Sequence, residues 1–130
     1  MKFAIKQNVL MEHLNYVIRG ISNKNLVPIL NCIKLELNED GLYMLSTDNN
    51  IAIKTLIDRS LILSIDESGS TVVAGRFIYD IINKLPNTVI NIETDESGKL
   101  YIFTENSKFY LNCNDVNEFP EIDLEENDTC

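Results

Sequence analysis

Residues 76–103 read RFIYDIINKLPNTVINIETDESGKLYIF and contain two different hydrophobic periods. In the first part, apolar residues recur at helical spacing between Gly75 and Pro86, which are typical residues at the ends of a helix. The apolar stripe consists of Phe77, Ile78, Ile81, Ile82 and Leu85. In the second part, apolar residues recur at every second position in 89–93 and 99–103, as in half-buried strands. The stretch therefore predicts a helix over residues 75–85 followed by a β-hairpin.

The first half of the chain has the same pattern. An apolar stripe predicts a helix over residues 8–20 and consists of Leu10, Leu14, Val17, Ile18 and Ile21. Alternating residues predict strands at 33–37, 42–45 and 51–56, and a further strand at 108–112. The segments 38–41 and 48–50 are rich in Asn, Asp and Gly, which tolerate the positive φ of tight turns.

The two halves can be superposed in sequence. A shift of 67 positions places Leu10, Met11, Leu14 and Ile18 on Phe77, Ile78, Ile81 and Leu85. A shift of 57 or 58 places Ile33, Leu35, Tyr43 and Ile51 on Ile90, Ile92, Tyr101 and Phe109. Such a duplication predicts an α+β fold in which a β-α-β-β-β unit is used twice. The two helices then pack side by side on antiparallel sheet, related by a pseudo-two-fold axis.

The side of each helix opposite the apolar stripe faces solvent or a ligand. Projection at about 100° per residue places Glu12, Tyr16 and Arg19 on the outward side of the first helix. The same projection places Arg76, Tyr79 and Asn83 on the outward side of the second, with Lys84 on its flank.

Length and composition limit the class of protein. The 130 residues, 45% hydrophobic and 24% charged, are sufficient for one domain that folds without disulfide bonds or a structural metal ion. The three cysteines, Cys32, Cys113 and Cys130, are distant from one another, so we expect reduced thiols and no metal site or cofactor. No apolar run is long enough for a membrane helix and no signal peptide is recognisable, so we expect a cytoplasmic protein without membrane contact.

The net charge of −9 is unevenly distributed. Seven of the 20 acidic residues lie from Asp115 onward, where the sequence has no Lys or Arg. The preceding part holds 13 acidic and 11 basic residues and is nearly neutral. The acidic balance therefore does not exclude a surface that contacts phosphate.

Short motifs in a fixed order resemble the first domain of the bacterial sliding clamps, the beta subunits of DNA polymerase III. They are MKF at 1–3, VPIL at 27–30 with IKL at 33–35, STD at 46–48, RF at 76–77 with DII at 80–82 and KLP at 84–86, and EFP at 118–120. The resemblance implies a DNA-clamp domain over residues 1–122, then an acidic tail or the start of an interdomain linker at 123–130. The second and third clamp domains would be absent from this chain.

The resemblance also implies a function. Members of this family form a ring of two subunits that encircles double-stranded DNA without sequence preference and tethers the replicative polymerase. Polymerase and clamp loader would bind through the domains that this chain lacks. Such a processivity factor does not catalyse a reaction.

The resemblance assigns DNA contacts to basic residues near the helices. Lys24 in the loop after the first helix, Arg76 at the start of the second and Lys84 near its end match basic positions of the family. Arg19 is added by the helical projection. Weak attraction to phosphate at these positions suits a ring that slides.

The segment 105–112 is similar to the edge strand that pairs with the neighbouring clamp subunit. The candidate interface residues are Asn106, Ser107, Lys108, Tyr110, Leu111 and, from the second helix, Ile81. An unpaired edge offers backbone donors and acceptors that can continue a sheet across an interface.

The sequence also bears on two other function classes, an enzyme and an interaction module. An enzyme is disfavoured because the single histidine, His13, has no nucleophile or second ligand spaced to form a motif. A stand-alone α+β protein-interaction module with an acidic tail is the alternative to the clamp. Outward basic residues on both helices favour the clamp, and an open reading frame continuing for two more domains would decide between them.

Overall fold

The computed structural model describes residues 1–21, 28–48 and 51–120. The predicted duplicated α+β fold is confirmed, with two helices and two antiparallel sheets. The elements are β1 (Lys2–Lys6), α1 (Gln7–Val17), β2 (Cys32–Asn38), β3 (Gly41–Thr47), β4 (Ala52–Asp58), β5 (Ile62–Glu67), β6 (Gly69–Ala74), α2 (Gly75–Lys84), β7 (Val89–Thr94), β8 (Lys99–Phe103) and β9 (Lys108–Asn112).

The two β-α-β-β-β copies exchange their first strands. Sheet A has the order β5-β1-β7-β8-β9, and sheet B has the order β4-β3-β2-β6. Strand β1 of the first copy therefore lies in the sheet of the second copy, and β6 of the second copy lies in the sheet of the first. Ile5 pairs with Ile90 in sheet A, as Val73 pairs with Ile33 in sheet B. Neither copy contains a complete sheet of its own.

One core contains the inner faces of both sheets and the buried sides of both helices. Its largest fully buried side chains are Phe3, Ile5, Leu10, Leu14, Ile33, Leu35, Leu37, Leu42, Met44, Ile57, Ile78 and Ile82. Helices α1 and α2 run antiparallel: the Gln7 side-chain amide donates to the Ile82 carbonyl (2.8 Å), and the Tyr79 hydroxyl donates to Asn15 Oδ1 (2.8 Å). None of the helices in the described ranges is long and apolar enough to cross a membrane.

The first helix is shorter than predicted. It ends at Val17 instead of residue 20, and a 3-10 turn over Ile18–Gly20 follows it. The Ser46 hydroxyl donates to the Val17 carbonyl (2.6 Å), which satisfies a backbone group that the next helical turn would otherwise use. Gly20 allows this approach, because a Cβ there would collide with the Ser46 hydroxyl.

The predicted core side of α2 was correct at Ile78, Ile82 and Leu85 and wrong at Phe77, and the repeat shift of 67 was wrong by one. The buried positions are Ile78, Ile82 and Leu85, 68 residues after Leu10, Leu14 and Val17, and Phe77 is 65% exposed. Periodicity could not separate the adjacent Phe77 and Ile78. Gly75 decides between them, because a Cβ at Gly75 would collide with the Ile21 side chain, and this close packing turns Ile78 inward.

The predicted equivalence of Ile51 and Phe109 was also wrong. Met44 pairs with Thr55 in sheet B, and Ile102 pairs with Phe109 in sheet A. Cross-strand register therefore makes Thr55 the counterpart of Phe109. The sequence shift failed here because the two hairpins differ in length between these paired residues.

The segment after β9 covers the outer face of sheet B. The Asn114 amide donates to the Val72 carbonyl (2.7 Å), and the chain then forms a 3-10 turn over Val116–Glu118. Val116 and Phe119 pack on Cys32, Leu45 and Val72 in a second, smaller apolar cluster. The domain thus extends at least to Pro120. The predicted boundary at residue 122 and the acidic tail lie outside the described residues.

Candidate DNA-facing and subunit-pairing surfaces

Three of the four predicted DNA contacts can be located. Arg76 is the second residue of α2 and Lys84 is its last, and both side chains are exposed. Arg19 is also exposed but belongs to the 3-10 turn after α1 rather than to the helix. Lys24 lies outside the described residues. The structure thus brings three cations to the helix layer, at the ends of α1 and α2.

The helix layer is only weakly positive. Glu12 on α1 and Asp80 on α2 are exposed on the same layer, so two carboxylates offset two of the three described cations. Uncharged side chains fill the space between them. Tyr16 is 44% exposed, its ring centroid lies 5.8 Å from that of His13 in a T-shaped contact, and the Tyr79 hydroxyl donates to Asn15. Asn15 was missed because its partner is on the other helix.

Strand β9 is an edge of sheet A. Within the described residues it pairs with β8 alone, so its other side presents backbone donors and acceptors. Of the predicted interface residues, Lys108, Tyr110 and Leu111 lie on this strand. Asn106 and Ser107 instead lie in the tight turn before it, where both of their backbone amides donate to the Thr104 hydroxyl. The edge available for strand pairing is therefore β9 itself.

Apolar side chains flank the β9 edge on the core side. Ile81 and Leu111 are half-buried against the core, and α2 packs beside β9. Phe77 is 65% exposed and Phe109 is 36% exposed. Phe77 and Ile81 are one helical turn apart, and Phe109 and Leu111 share one side of their strand. We call these four residues the edge patch. Exposed apolar side chains of this size beside an open strand edge are typical of interaction surfaces.

The sequence prediction missed two of the four. The helical pattern predicts Phe77 in the core, and Phe109 is not among the predicted interface residues. The restriction on Gly75 comes from the Ile21 side chain, which is distant in sequence, so periodicity alone could not have found Phe77.

The outer side of β9 has different chemistry. Lys108 Nζ lies 5.1 Å from the ring centroid of Tyr101 and 5.2 Å from that of Phe103. Lys99 Nζ lies 4.9 Å from the ring centroid of Tyr110. Cations at these distances are attracted by the electron-rich faces of the rings. Lys108 and Tyr110, predicted as interface residues, therefore point to the outer face of sheet A rather than along its edge.

The shifted pKa values of titratable groups have structural causes, namely hydrogen bonds and burial. Hydrogen bonds from Ser97, first through its hydroxyl, and from Lys99 and Tyr101 hold the Asp95 pKa at about 2. Burial raises the pKa of the Cys32 thiol and of the Cys113 thiol, which favours the unreactive protonated form. Cys113 is half-buried and lies just after β9. Within the described residues, no group of three His, Cys, Asp or Glu could hold a metal ion.

Solved structures share this arrangement of strand-exchanged sheets and paired helices. The beta subunit of Streptococcus pyogenes DNA polymerase matches with a TM-score of 0.89 at 28% identity, over 95% of this chain and 33% of that one. The DNA polymerase sliding clamp of Bacillus subtilis matches with a TM-score of 0.88 at 31% identity, over 95% and 33%. The Helicobacter pylori beta clamp bound to a DNA ligase peptide matches with 0.86 at 30%, over the same shares. The class of fold is thus that of a clamp domain.

Sequence comparison gives the family. Residues 1–123 match the family model described as DNA polymerase III beta subunit, N-terminal domain, and the chain belongs to this family. The beta sliding clamps of Staphylococcus epidermidis and Staphylococcus aureus are both 33% identical to it over 124 residues. The match covers 92% of this chain and 33% of each relative, so the chain spans about a third of their length.

Proposed function

We propose that this chain is one domain of a ring-shaped processivity factor that encircles duplex DNA and tethers a replicative polymerase. The observation that carries the proposal is the match over residues 1–123 to the N-terminal domain of the polymerase III beta subunit. The ring is held by topology, so the domain supplies a surface and an interface rather than a reaction. We expect it to act in the cytoplasm.

The helix layer is the proposed DNA-facing surface. Arg19, Arg76 and Lys84 are exposed at helix ends, where long cationic side chains can reach phosphates without reading bases. Lys24 completes the proposed set. The carboxylates Glu12 and Asp80 keep the attraction small, which suits a ring that must slide along DNA rather than stay at one place.

Strand β9 is the proposed pairing edge for a second clamp subunit. Its open side would continue the sheet of the neighbour through backbone hydrogen bonds. The edge patch would be covered in the same contact, burying Phe77 and Phe109. Lys108, Tyr110 and the turn residues Asn106 and Ser107 would lie at the rim. Polymerase and clamp loader would bind through domains outside this chain.

The ring can be tested in a chimaera in which residues 1–120 replace the first domain of the Bacillus subtilis clamp. The loaded chimaera should stay on nicked circular DNA and be lost when the circle is cut, because only a ring slides off ends. Retention on linear DNA, or failure of a folded chimaera to load, would contradict encirclement and favour an interaction module.

The DNA-facing residues can be tested on the chain itself. Titration with short duplexes of unrelated sequence at low salt should shift the amide resonances near Arg76 and Lys84, with equal affinity for each sequence. Arg76→Ala should lower the slope of log K against log salt by about one. Lys99→Ala, on the opposite side of the domain, is the matched control and should leave the slope unchanged.

A further inference from the structure

The outer faces of the two sheets carry equivalent residues. Glu36 pairs with Tyr43 in sheet B, as Glu93 pairs with Tyr101 in sheet A. Leu45 pairs with Lys54 in sheet B, as Phe103 pairs with Lys108 in sheet A. Even the cation–ring contacts are duplicated, since Lys54 Nζ lies 4.7 Å from the Tyr43 centroid and Lys108 Nζ lies 5.1 Å from that of Tyr101.

The outer face of sheet B is covered by the chain itself. Residues 115–119 cross it, and Phe119 and Val116 pack on Cys32, Leu45 and Val72. Phe119 is only 6% exposed as a result. This covering segment reads DVNEF and therefore combines two acidic with two apolar side chains.

Among residues 1–21, 28–48 and 51–120, no such segment covers the equivalent face of sheet A. At the point of the first copy that corresponds to residues 115–119, β5 ends at Glu67 and β6 begins at Gly69, which leaves no room for a covering segment between them. The counterparts of Cys32 and Leu45 in the strand registers are Val89, which is 41% exposed, and Phe103, which is partly exposed. Tyr110 on the adjoining strand is 59% exposed. One of two equivalent faces is thus open.

The open face combines rings and cations. The parallel rings of Tyr101 and Phe103 have centroids 6.1 Å apart and lie under Lys108, whereas Lys99 lies over the ring of Tyr110. We call Lys99, Tyr101, Phe103, Lys108 and Tyr110 the aromatic–lysine face.

The two lysines give this face two ammonium groups over its rings. Neither forms an ion pair within the described residues. Of the neighbouring carboxylates, Glu93 lies 3.7 Å from the Lys2 ammonium, and Asp95 is ionised and accepts hydrogen bonds from the hydroxyls of Ser97 and Tyr101. A carboxylate placed over the rings of Tyr101, Phe103 and Tyr110 would meet the ammonium groups of Lys99 and Lys108.

We infer that the aromatic–lysine face binds an acidic peptide segment of a partner protein, with an aromatic or aliphatic side chain seated on the rings. The segment would do on sheet A what residues 115–119 do on sheet B. Its carboxylates would meet Lys99 and Lys108, and its apolar anchor would cover Phe103 and Val89. This binding does not depend on ring formation or on contact with DNA.

The test uses the 130-residue chain and a synthetic peptide with the sequence of residues 114–120, NDVNEFP. Titration should give saturable shifts of the ring resonances of Tyr101, Phe103 and Tyr110. The double variant K99E/K108E should bind about tenfold more weakly, because two favourable charge contacts become repulsive. Lys54→Glu, at the equivalent of Lys108 on the covered face, is the matched control and should bind like the parent chain.

The peptide can be varied as well, so the result does not depend on the protein variants folding. A Phe119→Ala peptide should lose the ring shifts, and a neutral D115N/E118Q peptide should bind about tenfold more weakly. The inference is overturned if the peptide causes no shifts at millimolar concentration, or if the neutral peptide binds equally well. It is also overturned if the peptide displaces residues 115–119 from sheet B, or if oligothymidylate displaces it from the same resonances.

Discussion

Gly41 begins β3 in a backbone conformation that side chains rarely adopt, with φ +133°. A Cβ there would collide with the Ile57 carbonyl and lie 2.8 Å from the Arg59 amide nitrogen. We expect Gly41→Ala to lower the free energy of unfolding by about 3 kcal/mol, since backbone strain and a collision with main-chain atoms act together. Urea unfolding monitored by circular dichroism would measure it.

Gly98 provides the control for this prediction. It is the glycine of the equivalent hairpin, with φ +85°, but nothing lies within 4 Å of a Cβ built on it. Gly98→Ala should therefore lower the free energy of unfolding by about 1 kcal/mol, from strain alone. Equal losses in the two variants would show that the collision at Gly41 is relieved by local movement.

Asp95 makes stability depend on pH. The Ser97 hydroxyl, together with Lys99 and Tyr101, lowers its pKa from 3.8 to about 2. A carboxylate with a depressed pKa stabilises the fold above its unfolded pKa, and the contribution is lost as pH falls through its folded pKa. We expect the melting temperature of the chain to exceed that of Asp95→Asn at neutral pH, and the gap to close between about pH 4 and pH 2.

Ser97→Ala is the matched variant for Asp95. It removes the largest cause of the depressed pKa and keeps the carboxylate. The difference in melting temperature that Asp95→Asn makes in the Ser97→Ala background should therefore vanish at a higher pH than in the parent chain. Melting curves of parent and Asp95→Asn that stay parallel down to pH 2 would contradict the role assigned to Asp95.

At the scale of elements, the segment after β9 is part of the domain rather than a linker. Phe119 is 6% exposed in the cluster on sheet B, and Phe77 is 65% exposed in the edge patch. We expect Phe119→Ala to lower the free energy of unfolding by about 3 kcal/mol, because a large buried ring leaves a cavity. Phe77→Ala is the control and should change it by about 0.5 kcal/mol.

Chemical denaturation of both variants would separate these outcomes. If Phe119→Ala were as stable as Phe77→Ala, the covering segment would contribute little to the fold. The covered face of sheet B would then no longer support the proposal for the open face of sheet A.

At the scale of the whole molecule, strand exchange makes the two copies interdependent. Residues 1–67 lack β6 and hence one edge of sheet B, and residues 69–130 lack β1, which lies between β5 and β7. Each fragment alone leaves half of the common core exposed. We expect neither to unfold cooperatively, and an equimolar mixture to regain the native spectrum, because association restores both sheets.

Calorimetry of the separate and mixed fragments would test this. A cooperative transition in residues 1–67 alone would show that the first copy is self-sufficient. The duplication would then be a repeat of independent units rather than one domain.

The sequence by itself determined much of the fold. Apolar residues at every second position predicted six strands, and apolar residues at helical spacing predicted both helices. The internal repeat predicted the duplicated α+β organisation. The ends of elements were less certain, as α1 shows, because a tertiary hydrogen bond from Ser46 to Val17 stops it. Local pattern specifies which residues prefer to be buried, and burial is the dominant stabilising term.

Only the tertiary structure decided which of two adjacent apolar residues, Phe77 or Ile78, enters the core, and which strands share a sheet. It also placed Lys99 and Lys108 over rings of neighbouring strands and, in the part of the chain that the structure describes, left one of two equivalent faces uncovered. These features depend on cross-strand register and on close approach between elements distant in sequence. Such contacts are set by packing of the whole chain, whereas periodicity records only the preference of each segment.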